Sequence, residues 1–251
     1  MGHEAIYCMR SGTCVRVVQD TSKIDGLGGE VWAGALILCN YLEMHGQKVV
    51  QGRDVIELGA GCGLCGLVAA SLGANLAVIT DEYPDLLQTN IDKNQHIWSE
   101  RQATAQHPIA SSGRLKWGAP ESVAPFAHKF DTMIGSEITQ LGRDLHISLL
   151  EAIRTVLRPG PKSVALLSMD LCRPSCKGTC DVSKCTLSHF VTVAKETRFI
   201  IYKHPSVSLA SHAAVTSMIG ALGRRLQVDV DDWSVVFELR LEDSGLHANI
   251  Y

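Results

Sequence analysis

The sequence predicts an α/β fold: a Rossmann-like, doubly wound, mostly parallel sheet with an antiparallel C-terminal strand pair. Three observations carry this expectation. Short apolar runs alternate with longer amphipathic ones from Arg53 to Met169, the rhythm of strands joined by crossover helices. A glycine-rich turn, Gly59-Ala60-Gly61-Cys62-Gly63, follows the first buried run. Beyond Asp170 the rhythm stops, and Trp233 to Leu241 alternates apolar and polar residues as a half-buried strand does.

The elements follow in order. Thr13 to Gln19 alternates and reads as a short strand, whereas His3 to Gly12 carries no periodic signal. Val31 to Gly46 has an apolar face at helical spacing, with Gly46 as its expected end. Arg53 to Leu58 is a buried strand entering the glycine turn, and Leu64 to Leu72 is an apolar helix stopped by Gly73. Leu76 to Thr80 is a strand, and Pro84 opens a helix that runs to Asn94. The stretch 95–127 is irregular, with one candidate strand at Arg114 to Trp117. Phe130 to Gly135 and Ser163 to Met169 are strands flanking a helix from Asp144 to Leu157, which Arg158-Pro159-Gly160 closes. Helices are expected at Leu187 to Thr197 and Ser208 to Leu226. A turn at Asp243-Ser244-Gly245 would pair the strand 233–241 with a last one, His247 to Tyr251.

Composition narrows the function classes. A chain of 251 residues, 46% hydrophobic, is long enough for a single large domain, here with a cysteine-rich insertion around 170–190. The net charge of -3 lacks the basic excess of a nucleic-acid surface. The uncharged stretch 58–80 approaches the length of a membrane span, but glycines and Asn75 break it into turn, helix and strand. No leader or lipidation pattern stands at the start, so the expectation is a monomer of the cytoplasm, with the nucleus as a second location. Cys8, Cys14, Cys39, Cys62 and Cys65 are scattered, several in apolar runs, and are expected as reduced thiols. Cys172, Cys176, Cys180 and Cys185 cluster, with His189 nearby, but lack the paired C-x2-C knuckles of a zinc site. No metal ligand is assigned, and zinc, free thiols and disulfides stay open for these four.

Ligands of open α/β sheets bind at the carboxyl ends of the strands, where the glycine turn lies. Two cofactor classes use such a turn. Gly61-Cys62-Gly63-Leu64-Cys65-Gly66 fits the dinucleotide fingerprint, with Asp81 about 20 residues on as the ribose acid. The register Glu57-x-Gly59-x-Gly61-x-Gly63 is instead the pattern of enzymes that bind S-adenosylmethionine. Asp81 serves a ribose under both readings and does not discriminate.

The wider sequence does. Val31-Trp32-Ala33, Val55-Ile56-Glu57-Leu58-Gly59-Ala60-Gly61-Cys62-Gly63, Ile79-Thr80-Asp81, Leu115-Lys116-Trp117-Gly118 and Ile134-Gly135-Ser136-Glu137 occur in one order. In this order and spacing they resemble the family-16 seven-β-strand S-adenosylmethionine-dependent methyltransferases, in the protein-lysine methyltransferase branch. The resemblance runs from about Thr13 to Met169, with Asn249-Ile250-Tyr251 similar to the closing strand. It implies that Glu57, Gly59 and Gly61 line the methionine end of the cofactor and that Asp81 holds the ribose. It further implies Trp117 against the adenine, Trp32 at the pocket mouth and Ser136 in the cofactor wall.

By the same resemblance, Glu137 is the catalytic acid that receives the methyl acceptor. The family's D-x-x-Y motif reads Glu137-Ile138-Thr139-Gln140 here, so the acid is one methylene longer and glutamine replaces tyrosine. The expected reaction is methylation of a lysine in a protein substrate. The alternatives are a small-molecule or other side-chain acceptor, and a non-catalytic module that keeps the fold.

Overall fold

The computed structural model describes residues 3–22, 28–140, 142–170, 186–204 and 234–241. Its strands are β1 (His3–Cys8), β2 (Cys14–Gln19), β3 (Asp54–Leu58), β4 (Leu76–Asp81), β5 (Ala110–Arg114), β6 (Thr132–Ser136), β7 (Val164–Asp170), β8 (Phe199–His204) and β9 (Ser234–Leu241). Its helices are α1 (Ala33–Val49), α2 (Leu64–Ser71), α3 (Asp85–Asn94), α4 (Ser99–Gln102), α5 (Pro120–Val123), α6 (His146–Val156) and α7 (Thr186–Glu196).

Seven strands form one sheet in the order β5-β4-β3-β6-β7-β9-β8. Strands β3 to β7 are parallel, and β9 runs antiparallel between β7 and β8. From β3 the chain steps outward through β4 to β5, then returns to β3's other side with β6. The crevice of a doubly wound sheet opens at that reversal, above the ends of β3 and β6.

Alternation along β3 supplies both faces with core. Val55 joins one apolar cluster with α1, α2 and α3, while Ile56 and Leu58 join another with α6 and α7. Glu57 therefore points to the α2 side. Each large side chain buried this way contributes about 1.5–3 kcal/mol.

The hairpin β1–β2 packs on the outer side of the first cluster. Two asparagines on α3 hold it by imitating a neighbouring strand. Asn94 accepts from the Arg16 N–H at 2.9 Å and donates to the Arg16 carbonyl at 2.6 Å. Asn90, one turn earlier, does the same for Val18 and also donates to the Cys62 carbonyl in the glycine turn. Both side chains are fully buried, so Asn90→Ala leaves several buried backbone groups unpaired. The expected loss is about 3 kcal/mol in urea unfolding, since each orphaned group costs about 1–3 kcal/mol; a loss under about 0.5 kcal/mol would contradict this role.

Several expectations need correction. β1 has no sequence signal, because its pairing with β2 rather than its own alternation defines it. Cys8 and Cys14 are cross-strand partners joined by a disulfide, not reduced thiols, whereas Cys39, Cys62 and Cys65 are free and buried. Helix α1 continues past Gly46 to Val49; Gly46 is buried inside the last turn, where Leu72 packs against it. The edge strand β5 ends at Arg114, so the expected strand 114–117 is displaced and Trp117 lies in the loop after it. β8 is an element the sequence reading does not contain, and it pairs antiparallel with β9. Arg198, in a left-handed conformation between α7 and β8, makes that turn.

The helix expected at Ser208 to Leu226, the strand 247–251 and the four clustered cysteines lie outside the described residues. Among the described residues no helix is long and apolar enough to cross a membrane.

Candidate active site

The turn after β3 is built for glycine. Gly59, Gly61 and Gly63 have φ of 64°, 54° and 81°, in the left-handed region that side chains avoid. Space is as restrictive as conformation. A Cβ on Gly59 would lie 2.7 Å from Ile138 Cγ2 and 3.1 Å from the Trp117 ring, and one on Gly61 would lie 2.6 Å from the Gly28 carbonyl oxygen. The turn thus sits under three walls, with its backbone facing a cavity of about 570 Å³.

All the residues expected to form the site line this cavity: Trp32, Glu57, Gly59 and Gly61 on one side, and Asp81, Trp117, Ser136 and Glu137 on the other strand ends. Their arrangement refines the roles. Glu57 is 2% exposed, and its carboxyl accepts the Gly66 N–H of α2 at 2.7 Å. Its first task is to tie α2 to β3, shaping the turn from behind. Asp81 is half-buried and accepts the Gly61 N–H at 2.9 Å and the Tyr83 N–H at 3.0 Å, which fixes its carboxylate at the end of β4. Trp117 lies across Gly59, while Trp32 stands at the start of α1 with 39% of its surface exposed.

Burial pushes the Glu57 carboxyl up to about 8, against the pull of the Gly66 N–H and the Cys65 thiol. The folded chain then carries a proton that the unfolded chain releases above about 4.5. Stability from this group is greatest at low pH and falls as pH rises from 4.5 to 8, by at most about 1.4 kcal/mol per pH unit, then levels. Glu57→Gln, which keeps an acceptor for Gly66, is expected to remove that decline. Urea unfolding at pH 5 and pH 8 checks it, and equal pH dependence in both proteins would contradict a buried, protonated Glu57.

Glu137 follows β6 in a left-handed conformation, φ 57°, unusual for a residue with a side chain. Its N–H donates to the Ser168 carbonyl of β7 at 3.0 Å. Its carboxyl lies flat against Gly34 in the first turn of α1, where an added Cβ would meet Oε1 at 2.3 Å. The short 3-10 turn Ile138–Gln140 then brings Gln140 back, and its amide donates to Glu137 Oε2. The glutamine at the family's tyrosine position is therefore a direct partner of the acid.

Sequence reasoning missed Gly34, Tyr83 and the pair Lys116–Glu82, a 2.6 Å ion pair on the cavity rim. Gly34 carried a signal, a glycine inside the first turn of an apolar helix. Lys116 and Glu82 are 34 residues apart and become neighbours only through the β4–β5 pairing.

The sequence profile of the lysine methyltransferase family matches residues 10–170.

The chain belongs to the lysine methyltransferase family.

Relatives within and around the lysine methyltransferase family agree. Protein N-lysine methyltransferase METTL21A of Danio rerio is 38% identical over 127 residues, covering 51% of this chain and 54% of that one. The protein N-terminal and lysine N-methyltransferase EFM7 of Yarrowia lipolytica is 31% identical over 157 residues, 57% of each chain. The chain thus spans little more than half the length of the curated relatives it matches. Among solved structures, the cyclase SpnF is similar at a TM-score of 0.53 and 14% identity, over 86% of this chain and 85% of that one. The CurJ carbon methyltransferase is similar at 0.50 and 14%, over 88% and 57%. These two likenesses show the fold alone, and they show that the fold by itself does not set the reaction.

S-adenosylmethionine is the cofactor expected of this family. The residues present fit it: a glycine cradle that any Cβ would fill, a fixed acid at the end of β4 and a tryptophan face beside the turn.

Proposed function

We propose that this chain transfers a methyl group from S-adenosylmethionine to the side-chain nitrogen of a lysine in a protein substrate. The observation that carries this reading is the placement of Glu137. Its carboxyl lies in the same cavity as the glycine cradle, wedged against Gly34 and held by Gln140. A carboxylate so fixed is a receptor for an ammonium group, which it binds by a charge-assisted hydrogen bond.

When bound, the cofactor supplies a methyl group already activated on a sulfonium. The chain supplies binding and alignment. Gly59 and Gly61 let backbone approach the ligand, Asp81 offers acceptors to the ribose hydroxyls, and Trp117 offers a face to the adenine. Glu137 draws the lysine ammonium into the cavity and holds the nitrogen in place once its proton has passed to water, so that positioning provides most of the acceleration. Gln140 keeps the carboxyl from rotating away, the duty left to it at a position where the family has tyrosine.

The net charge of -3 supports a protein acceptor over a nucleic acid. The same reading has the chain acting as a monomer in the cytoplasm or nucleus, away from membranes. The buried free thiols Cys39, Cys62 and Cys65 support a reducing compartment, and the Cys8–Cys14 bridge counts against it.

Incubation with methyl-labelled S-adenosylmethionine and a dialysed cell lysate tests the proposal. Label in a protein band supports it. Label recovered only in small molecules after their restoration to the lysate would move the acceptor to that class.

A further inference from the structure

We infer that His146 is a positioning residue for the acceptor end of the cavity, acting through the Thr139 carbonyl as one half of a pair with His189. The inference rests on Glu137 being the acceptor carboxylate.

The turn 138–140 decides where Glu137 and Gln140 stand, and three anchors among the described residues bear on it. The Glu137 N–H is bonded to Ser168. The Ile138 side chain is wedged between Gly59 and Gly135, where added Cβ atoms would meet it at 2.7 and 2.5 Å. The third point is His146, the first residue of α6, whose Nε2 lies 2.8 Å from the Thr139 carbonyl oxygen. The first two anchors fix the entry to the turn. The third grips its far half, next to the Gln140 amide that orients Glu137.

The chemistry of the pair follows from what each atom can do. A carbonyl oxygen only accepts, so His146 Nε2 carries the proton. In the neutral ring Nδ1 is then an acceptor. It lies 2.8 Å from His189 Nδ1, which must be the donor. His189 thus selects the tautomer of His146 that can hold Thr139. His146 is 1% exposed, with the edge of Phe190 against its ring. Burial lowers its pKa first, helped by His189 and Arg143 and opposed by the Thr139 carbonyl and Asp144. Among the described residues these are the charged and titratable groups that face it from α7 and from the turn 143–145, and the net lowering keeps the ring neutral near pH 7.

A buried histidine must find partners for both ring nitrogens wherever it stands. This one spends both nitrogens on two other elements, the turn and α7, and α7 also packs against that turn directly. Movement of α7 is therefore transmitted to the turn through two hydrogen bonds and from the turn to Glu137 through the Gln140 amide, with no contact between α7 and a bound ligand required.

Nitrogen-15 labelling of the histidines in the whole chain reads the pair directly. The expected spectrum has His146 protonated at Nε2 and His189 at Nδ1. His189→Phe is expected to shift the backbone amide signals of Ile138, Thr139 and Gln140 and to leave those of Gly59 and Gly61 in place. Unmoved turn amides, or His146 protonated at Nδ1, would overturn the inference. In lysate labelling, His146→Ala is expected to lose about 10- to 100-fold in rate, as small misplacements of reacting groups do. Its affinity for S-adenosylmethionine by calorimetry stays within about twofold on the same argument. His146→Gln places an amide N–H where Nε2 stood and is expected to recover most of the rate. If it is as slow as the alanine variant while folded, the hydrogen bond to Thr139 is not what matters. A wild-type chain that labels no protein would sink the acceptor reading, while the tautomer and amide results still decide the link between His189 and the turn.

Discussion

Glu137→Ala is expected to lower methyl transfer by about 100-fold or more while S-adenosylmethionine binds within about threefold of its wild-type affinity. The split follows from the geometry. Glu137 stands against Gly34 and Gln140 in the cavity wall, whereas Asp81 is the residue that bonds the glycine turn. Removing its carboxyl takes away the group that receives the acceptor and leaves the cofactor cradle standing. Calorimetry and a labelled-transfer assay on the same protein measure the two halves, and equal losses in both would place Glu137 in the cofactor site.

A companion substitution separates position from charge. At Gly34 a methyl group would crowd the Glu137 side chain from Cγ to Oε1. That side chain must turn away from the added methyl, and alanine is a better helix former than glycine by about 1 kcal/mol. Gly34→Ala is therefore expected to keep or raise stability while lowering transfer about tenfold or more, through displacement of an intact carboxylate.

Asp81→Ala carries the second large effect. Two N–H groups, those of Gly61 and Tyr83, converge on its carboxylate. The substitution frees the glycine turn at Gly61 and removes the acceptors offered to the ribose. Hydrogen bonds to a charged group are worth about 1.5–3 kcal/mol each, so a loss of about 2–4 kcal/mol in cofactor binding is expected. That is a rise in Kd of about 30- to 1000-fold, read by calorimetry. The local contacts separate the two losses: Asp81→Asn keeps an acceptor for Gly61 and is expected to bind better than the alanine variant. Unchanged affinity in Asp81→Ala would remove the ribose from its place at the end of β4.

The parallel half of the fold was legible because each strand and helix there is defined by its own residues. β3, β4, β6 and β7 are apolar on both faces, and the helices between them end at Gly73, Asn94 and the Arg158-Pro159-Gly160 stop. What escaped was defined by partners. β1 exists through β2 and the asparagines of α3, and β5 is a polar edge strand, Ala-Ser-Ser-Gly-Arg, that alternates no apolar residues. β8 has the apolar run Phe199-Ile200-Ile201-Tyr202, yet its neighbour is β9, which lies beyond it in the chain.

The site divides in the same way. Its members stand at strand ends in motifs of fixed order, so Glu57, Asp81, Trp117 and Glu137 could be named before their meeting was seen. Their working contacts could not. That Glu57 grips Gly66 rather than facing the cavity openly, that Glu137 leans on Gly34, and that His146 reaches Thr139 depend on side-chain directions across 7 to 103 residues of chain. Gln140, at the family's tyrosine position, is in the fold the donor that orients the acid.

The central claim is that the cavity presents a lysine nitrogen to a bound methyl donor, with Glu137 as its receptor. Complete hydrolysis of the protein labelled in the lysate reaction, followed by amino-acid separation, tests this most directly. The account predicts label in Nε-methylated lysine, absent when Glu137→Ala replaces the wild-type chain. Label on any other residue, or undiminished methyl-lysine from Glu137→Ala, would contradict it.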